Sequence, residues 1–328
     1  MNNIRTLVPG ILFAAAIAVP AWLLGKVYPI IGGPVFGILF GMILAFWKRP
    51  AIFDSGIRLT GKKLLQAAII LLGFEMNLFN VLKVGGESLN IMIFTLGAAF
   101  ITAWFMGSYL KLVGNTSILI AVGTAICGGS AIAATAPVIA ANDREIAYSI
   151  STIFLFNIAA VFIFPLIGHL VGMSDIGFGI WAGTAINDTS SVVAAGYAYS
   201  PAAGDFATIV KLTRTLMIIP VTFVLAILCA RKNHSENNFS FSKIFPWFVL
   251  GFLATSIIST TGIIPTAVCD LLGTGGKFLI VMAMAAIGLN THIGQMIQNG
   301  IKPILLGLSC WIAVAIVSLA LQYQLNLL

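Results

Sequence analysis

Residues 123–137 read GTAICGGSAIAATAP, an apolar run that two glycines and a serine interrupt before it reaches a proline. Adjacent glycines weaken a helix by about 1 kcal/mol each, and irregular backbone at membrane depth persists only where it is buried or lines a cavity. The run therefore predicts a broken helix at residues 128–130. The alternative is close helix packing, because small residues four apart, such as Gly129, Ala133 and Pro137, are common where membrane helices touch.

The composition of the whole chain excludes a water-soluble protein. Of the 328 residues, 59% are hydrophobic and 8% are charged, whereas about 25% are charged in ordinary soluble domains. The mean hydropathy is +1.06. The longest polar stretch, residues 231–243, is too short to bury a core and is predicted to be a loop. The whole chain, 1–328, is therefore expected to be one integral membrane domain with no soluble domain.

Apolar runs between charges and turn residues predict an all-α polytopic protein with about eleven transmembrane helices, or ten. The first run resembles a signal peptide, but it contains Pro9 and Pro20 and many runs follow it, so we expect a retained first helix. The predicted spans are 6–25, 30–47, 61–82, 88–110, 115–140, 145–171, 176–196, 205–230, 244–260, 273–293 and 300–323.

The net charge of +7 reflects topology, because Lys and Arg accumulate in the cytoplasmic loops of membrane proteins. With a cytoplasmic N-terminus, four of these residues fall on the far side (Lys26, Lys83, Arg144 and Lys277), and Lys211 and Arg214 fall inside a span. No nucleic-acid partner is predicted. The cytoplasmic side holds eleven: Arg5, Lys48, Arg49, Arg58, Lys62, Lys63, Lys111, Arg231, Lys232, Lys243 and Lys302.

Two internal echoes suggest the inverted repeats on which many secondary transporters are built. Residues 61–78 align without gaps on 276–293, and the predicted spans give these segments opposite directions. Residues 123–134 align on 183–194, and both segments begin with GTAI. The predicted spans give these two segments the same direction. One register therefore does not explain both echoes.

The break near residue 128 is the first candidate binding site. If a half-helix begins at Ser130, its free amide groups and positive end would receive an anion. The residues that would line this substrate site are Thr124, Cys127, Gly128, Gly129 and Ser130.

Residues 183–196, GTAINDTSSVVAAG, are the second candidate site, because five consecutive polar side chains interrupt an apolar run. An ionisable group at membrane depth usually faces a cavity or a partner, so Asp188 is a functional candidate. Its carboxylate, with Asn187, Ser190 and Ser191, offers oxygen ligands for sodium, or Asp188 could carry a proton. The alternative is a short loop outside the membrane.

Lys211 and Arg214 are three residues apart and share one helix face between apolar runs, where they could bind an anionic substrate. Arg214 is the stronger candidate, because it lies deeper and can hold an oxyanion with two parallel hydrogen bonds. Two alternatives stay open. Glu75 and Asp188 could neutralise the pair, or the Lys211 side chain could reach the membrane interface.

Other polar residues in apolar runs are weaker candidates. Glu75 and Asn290 are counted with the coupling-ion residues, and Asn77 and His292 rank with them above Asn157. No metal site and no cofactor other than a coupling Na⁺ or H⁺ is predicted, and no nucleotide-binding loop is present. Without C-x-x-C spacing, Cys127, Cys229, Cys269 and Cys310 are interpreted as free thiols.

GTAICGGSAIAATAPVI, GTAINDTSSVVAAG and the opening L-x-P-G at residues 7–10 resemble the YeiH-type proteins, a bacterial membrane family described as sulfate exporters. The resemblance spans the chain and implies similarity to the bile-acid symporter and related carriers. It implies a panel and a core subdomain interleaved in sequence, two crossing broken helices, and location in the bacterial inner membrane. The second crossing helix is then 183–196 or 273–293. By the same analogy, a homodimer is expected.

Together these features predict a secondary carrier that moves sulfate, sulfite or an organosulfonate by alternating access. One alternative is an intramembrane enzyme with Cys127 or Ser130 as the nucleophile and Asp188 or His292 as a base or metal ligand, but no G-x-S-x-G or H-E-x-x-H pattern supports it. A channel or sensor is the other alternative, and intramembrane charges of both signs favour coupled binding over an open pore.

Overall fold

The structure, a computed structural model, describes residues 2–28, 33–47, 49–112, 115–233, 247–291 and 300–327. All regular structure in these ranges is helical, with short 3-10 and π turns between residues 51 and 75. The helices are α1 (Asn2–Val27), α2 (Gly33–Leu44), α3 (Asp54–Leu59), α4 (Leu65–Leu72), α5 (Leu78–Tyr109), α6 (Thr116–Ala125), α7 (Gly129–Thr135), α8 (Asp143–Val171), α9 (Asp175–Ala185), α10 (Thr189–Tyr199), α11 (Pro201–Leu216), α12 (Ile218–Asn233), α13 (Trp247–Thr260), α14 (Thr266–Leu289) and α15 (Ile301–Gln324).

Several of these helices are long and apolar enough to cross a membrane, which confirms a multi-pass membrane protein. The described residues contain six such segments, and α11 and α12 together form one of them. The six are Thr6–Val27, Leu78–Tyr109, Arg144–Val171, Pro201–Cys229, Thr266–Leu289 and Ile301–Gln324.

Helices α6 and α7 form a re-entrant hairpin, which we call hairpin 1 (residues 115–141). The Asn115 side chain, just before α6, donates from Nδ2 to the carbonyl oxygen of Ile139 at 3.1 Å. The Asn115 amide donates to Oε1 of Glu145, at the start of α8, at 2.7 Å. The two ends of the segment therefore lie side by side, and the prediction that 115–140 crosses the membrane is wrong.

Helices α9 and α10 form a second re-entrant hairpin, hairpin 2 (residues 173–200). The Tyr199 hydroxyl, at the end of α10, donates to the carbonyl oxygen of Met173 at 2.5 Å. The Ser200 hydroxyl donates to Oδ1 of Asp175 at 2.6 Å, and the ring of Tyr199 stacks on Phe178 at 4.0 Å between centroids. The predicted span 176–196 is therefore also wrong, because this segment returns to the end from which it entered.

The two hairpins enter the helix bundle from opposite ends. Helix α8 has 29 residues and is about 43 Å long at 1.5 Å per residue. Its first turn, at Glu145, lies at the mouth of hairpin 1, and its last turn, at His169, stacks on Tyr199 at the mouth of hairpin 2. The two GTAI segments are therefore antiparallel. The prediction that they are parallel was wrong because it counted each hairpin as a crossing.

Because of this arrangement, one positive charge lies at the opposite end of the bundle from the one predicted. Arg144 and Lys302 line the same cavity beside the mouth of hairpin 1. Arg144 was predicted on the far side, among the four exceptions, but it lies at the end that holds Lys302. One of the four predicted exceptions to the asymmetry of Lys and Arg is thereby removed.

Helices α1 to α4, α13 and α14 pack together beside the hairpins. In this group the segments 61–78 and 276–293 run in opposite directions, as predicted, because Gly61 lies against Ile287 and Glu75 pairs with Lys277. Helix α14 continues unbroken to Leu289, so the prediction that 273–293 could be a second broken helix is wrong.

The glycines of α14 have a packing role instead. A methyl group on Gly288 would lie 2.3 Å from the backbone oxygen of Ile38, and one on Gly276 would lie 3.0 Å from that of Ala68. Both glycines therefore allow neighbouring helices to approach closely, as small residues do at membrane helix contacts.

Candidate functional site

The tip of hairpin 1 is a three-residue break between α6 and α7. Helix α6 ends at Ala125, Ile126 has φ −121° and ψ −90°, and Gly128 has φ +68° and ψ −129°. The predicted break lies here, although α7 begins at Gly129, one residue before the predicted start. A methyl group on Gly128 would lie 3.3 Å from Ile153 and 3.4 Å from the Cβ atom of Asp188, so the positive φ and the tight contact both favour glycine.

The tip of hairpin 2 is an extended segment that ends at Asp188, the N-cap of α10. The Asp188 carboxylate accepts hydrogen bonds from the amide of Ser190 at 2.9 Å and from the Ser190 hydroxyl. The Asp188 amide donates to Oδ1 of Asn157 on α8 at 3.1 Å. Asn187 beside it is 1% exposed, so this polar run lies inside the protein and the interpretation of a surface loop is wrong.

Lys211 and Arg214 on α11 bind both tips, and both side chains are completely buried. Lys211 Nζ donates to the carbonyl oxygen of Ile126 at 2.6 Å and to that of Ile186 at 3.0 Å. These two isoleucines occupy the same position in the two GTAI segments. We call residues 124–128 and 186–188, with Lys211 and Arg214, the tip junction.

Arg214 makes the larger set of bonds in the tip junction. Its Nε atom donates to the carbonyl oxygen of Ala125 at 2.7 Å, its Nη1 atom to that of Ile186 at 3.2 Å, and its Nη2 atom to that of Thr124. Carbonyl groups at a helix C-terminus lack helical partners and carry partial negative charge, so cations are favoured there. Arg214 and Lys211 therefore cap the ends of α6 and α9 together.

Two of the alternatives for these cations, a Lys211 side chain at the membrane interface and neutralisation by Glu75, do not fit the structure. Lys211 does not reach the membrane interface, because it is buried and bonded inside the protein. Glu75 does not neutralise either cation, because its Oε2 atom pairs with Lys277 Nζ at 2.8 Å. Among the described residues no carboxylate oxygen lies within 4.0 Å of Lys211 or Arg214. With Asp188 counted as −1, the tip junction keeps a formal charge of +1.

Three buried side chains around the tip junction have polar atoms without hydrogen-bond partners in the described part of the chain. They are Asn187, with both Nδ2 and Oδ1, Asn157 with Nδ2, and Thr124 with Oγ1. Buried polar groups in native proteins are nearly always hydrogen-bonded, and exceptions point to a water molecule, an ion or a ligand. Asn157 was predicted to be a weaker candidate than Glu75, Asn77, Asn290 and His292, because those four were expected near the ends of paired helices.

The remaining predicted site residues are divided between the tip junction and other places. Cys127 and Ser191 are buried, Gly129 is half-buried, and Ser130 is exposed. Asn290 lies at another helix end, where its Oδ1 atom accepts a hydrogen bond from Arg49 at 2.7 Å. The structure therefore does not bring Glu75 or Asn290 to the tips, and His292 lies outside the described residues.

A second polar cluster lies near the mouth of hairpin 2, where Glu75 and Asp205 line a cavity of about 360 Å³. The Tyr197 hydroxyl donates to Oδ1 of Asp205 at 2.6 Å, and Lys277 Nζ lies 5.6 Å from the centre of the Tyr197 ring. Sequence analysis missed Tyr197 and Asp205, because only the return of α10 towards α11 brings them together. All four cysteines are free, as predicted. No group of three His, Cys, Asp or Glu residues in the described ranges could hold a metal ion.

Comparison with known proteins connects this chain to bacterial membrane proteins. The family described as conserved hypothetical protein 698 matches residues 9–307. A UPF0324 membrane protein of Streptococcus pyogenes serotype M18 is 50% identical over 97% of both chains. UPF0324 membrane proteins of Fusobacterium nucleatum, 46% identical over 97% of this chain and 98% of its own, and of Streptococcus mutans, 47% identical over 97% of both, are also similar. No solved structure matches the chain.

Proposed function

The chain belongs to the conserved hypothetical protein 698 family, and we propose that it is a secondary active transporter of a small anion that binds at the tip junction. The observation that carries this proposal is the pair of completely buried cations, Lys211 and Arg214, without a carboxylate partner in the described ranges. Burying an uncompensated charge costs several kcal/mol, and an anion bound beside the cations offsets that cost.

The two hairpins supply a route for alternating access. Discontinuous helices near the membrane midplane form the binding sites of many secondary transporters, and one part of the protein moves against the other around the site. Hairpin 1 separates the tip junction from one end of the bundle and hairpin 2 separates it from the other. Thr124 and Cys127 to Ser130 would lie on the first side of the anion. The packing of α1 to α4, α13 and α14 as one group supports a panel beside a moving core.

Asp188, with Asn187, Ser190 and Ser191, is our candidate for binding the coupling ion, either Na⁺ or H⁺. Its carboxylate is half-buried at the tip of hairpin 2, and oxygen ligands suit a hard cation. Sulfate, sulfite and organosulfonates are the candidate substrates that the resemblance to YeiH-type proteins implies. A homodimer in a bacterial inner membrane is the proposed setting, by analogy with related carriers.

The asymmetry of Lys and Arg supports a cytoplasmic N-terminus, with the mouth of hairpin 1 on the cytoplasmic side and that of hairpin 2 on the outside. Single cysteines at Asn142 and Ala202, one beside each mouth, test this orientation. A membrane-impermeant maleimide should label Ala202→Cys in right-side-out vesicles and Asn142→Cys in inverted vesicles. Labelling of both variants from the same side would contradict the arrangement.

The function itself is tested with the purified protein in liposomes. We expect saturable uptake of one class of anion that a sodium or proton gradient accelerates, and loss of that acceleration in Asp188→Asn. A thermal-shift screen of sulfate, sulfite, sulfonates, carboxylates and halides, each with and without sodium at two pH values, identifies the anion first. The proposal fails if no anion stabilises the folded protein or crosses the membrane through it, and non-saturable flux would favour a channel.

A further inference from the structure

Resting on the proposed function, we infer that the tip junction selects a singly charged oxyanion that carries a hydrogen-bond donor of its own. Hydrogen sulfite and hydrogen carbonate are anions of this class, whereas fully ionised sulfate is not. Two independent observations lead to this class: the charge of the tip junction and its unused hydrogen-bonding groups.

The charge of the tip junction favours one negative charge on the ligand. Lys211 and Arg214 contribute two positive charges, and Asp188 contributes one negative charge. The amide and hydroxyl of Ser190 both donate hydrogen bonds to the Asp188 carboxylate. Without a coupling ion at Asp188, a singly charged anion therefore neutralises the tip junction, while a doubly charged anion leaves an excess negative charge.

The unpartnered polar groups of the tip junction are best satisfied by a ligand that both accepts and donates hydrogen bonds. Nδ2 of Asn157 and Nδ2 of Asn187 are buried donors without partners, and Oδ1 of Asn187 is a buried acceptor without a partner, all within the described residues. Lys211 donates two of its three N–H groups to backbone oxygens, which leaves one N–H group for a ligand. An anion that only accepts hydrogen bonds satisfies the donors but leaves Oδ1 of Asn187 without a partner, which costs free energy in a buried site.

Asn157 is held by one hydrogen bond to the tip of hairpin 2. Its Oδ1 atom accepts the amide of Asp188, the residue that caps α10, and its Nδ2 atom is bonded to the same amide carbon. The Nδ2 hydrogens therefore lie beside the first turn of α10, an 11-residue helix whose N-terminal amides carry partial positive charge. Asn157 is 2% exposed, so its Nδ2 atom is shielded from bulk solvent.

Three probe anions distinguish the requirement for a single charge from the requirement for a hydrogen-bond donor. Their affinities are measured by equilibrium titration of the purified full-length protein. Hydrogen carbonate is singly charged and carries a donor, methanesulfonate is singly charged without a donor, and sulfate is doubly charged without a donor. We expect hydrogen carbonate to bind about tenfold or more tightly than methanesulfonate, since a hydrogen bond to a buried charged ligand is worth about that factor. Sulfate should bind most weakly.

Two variants test the named residues. Asn157→Asp keeps an acceptor for the Asp188 amide but removes both donors and adds a negative charge that brings the tip junction to zero, so all three anions should bind more weakly, hydrogen carbonate by about tenfold to hundredfold. Thr152→Val is the matched control, because its buried Oγ1 also lacks a partner while its methyl group lies against Gly307 on α15. Asp188→Asn removes the negative charge and should raise sulfate affinity relative to hydrogen carbonate.

The outcomes separate this inference from the proposed function. The inferred preference for a singly charged donor-bearing anion is wrong if the parent protein binds all three probe anions with equal affinity and Asn157→Asp, shown by a normal melt to be folded, binds them as the parent does. In that case an anion still binds, so the proposed function stands. Unchanged selectivity in Asp188→Asn would overturn the charge argument. If no anion of any class binds the parent protein, the proposed function fails as well.

Discussion

The first arms of hairpins 1 and 2 end in the same four residues, but the tips that follow differ. Each first arm ends in GTAI, and Lys211 binds the carbonyl oxygen of the isoleucine in both, Ile126 and Ile186. After the isoleucine the chains diverge. Hairpin 1 continues with CGGS and turns at a glycine with positive φ, whereas hairpin 2 continues with NDTS and turns into a helix that Asp188 caps.

This difference assigns separate tasks to the two tips. The tip of hairpin 1 presents bare backbone, because Gly128 has no side chain and lies against Asp188. The tip of hairpin 2 presents a carboxylate and amides from Asp188, Asn187 and the neighbouring Asn157. At the tip junction, hairpin 1 therefore contributes close backbone contact, whereas hairpin 2 contributes a carboxylate and side-chain amide groups.

The largest expected effect belongs to Arg214, which joins the two hairpins. Arg214→Met leaves buried carbonyl groups of both arms without a donor, so the protein should lose about 3–5 kcal/mol of stability. The melting temperature in detergent measures this loss. Arg144→Met, at the exposed mouth of hairpin 1, is the control and should melt near the parent. A parent-like melt for Arg214→Met would show that the arms do not depend on this cation.

Gly128 should have the next largest effect, because only hairpin 1 requires a glycine at its tip. Gly128→Ala forces a side chain into a backbone region that is essentially restricted to glycine, at a cost of about 1–3 kcal/mol. Gly97→Ala is the control, since this helical glycine has open space where a methyl group would lie. If thermal melting shows no difference between the two variants, the positive φ of Gly128 is not needed.

Asp188 should have a smaller effect on stability, because its structural task is to cap α10. Asp188→Ala removes the acceptor for the Ser190 amide and should cost about 1 kcal/mol, whereas Asp188→Asn keeps an acceptor and should melt close to the parent. Thermal melting in the absence of anions checks both variants. Equal losses for alanine and asparagine would mean that charge, rather than capping, stabilises this tip.

The smallest expected difference compares two threonines at the same position of the GTAI segments. The Thr184 hydroxyl bonds to that of Ser318 on α15 at 2.7 Å, while Oγ1 of Thr124 has no partner among the described residues. Thr184→Val should therefore cost about 0.5–1.5 kcal/mol, and Thr124→Val close to nothing without ligand. A larger loss for Thr124→Val in an anion-free melt would reverse this assignment.

Much of the tip junction could be predicted from sequence, because runs of polar side chains are rare in apolar segments and Ser130 follows the glycine pair at 128–129. The glycines at 128–129 predicted the first break within one residue, and Asn187 and Asp188 lie in the second break, between α9 and α10. The buried cations could be found in the same way, but not their partners. Arg214 binds backbone oxygens some 90 positions earlier in the chain, and every residue type supplies a backbone oxygen.

The number of membrane crossings was predicted less well. Residues 115–140 and 176–196 are as apolar and as long as true spans, and hydropathy measures only those two properties. What turns them back are contacts between residues far apart in sequence, such as Asn115 with Ile139 and Tyr199 with Met173. The count of Lys and Arg contained a clue, because Arg144 was an exception that the hairpin arrangement removes.

The sequence by itself determined that this protein lies in a membrane, that its chain is helical, and that two polar segments interrupt those helices. These properties follow from side-chain hydrophobicity and from local backbone preferences, which each short segment carries with it. Only the tertiary structure decided that both interrupted segments turn back, enter from opposite ends and meet at Lys211 and Arg214. That meeting depends on backbone carbonyl groups and helix ends, whose positions are set only when the helices pack.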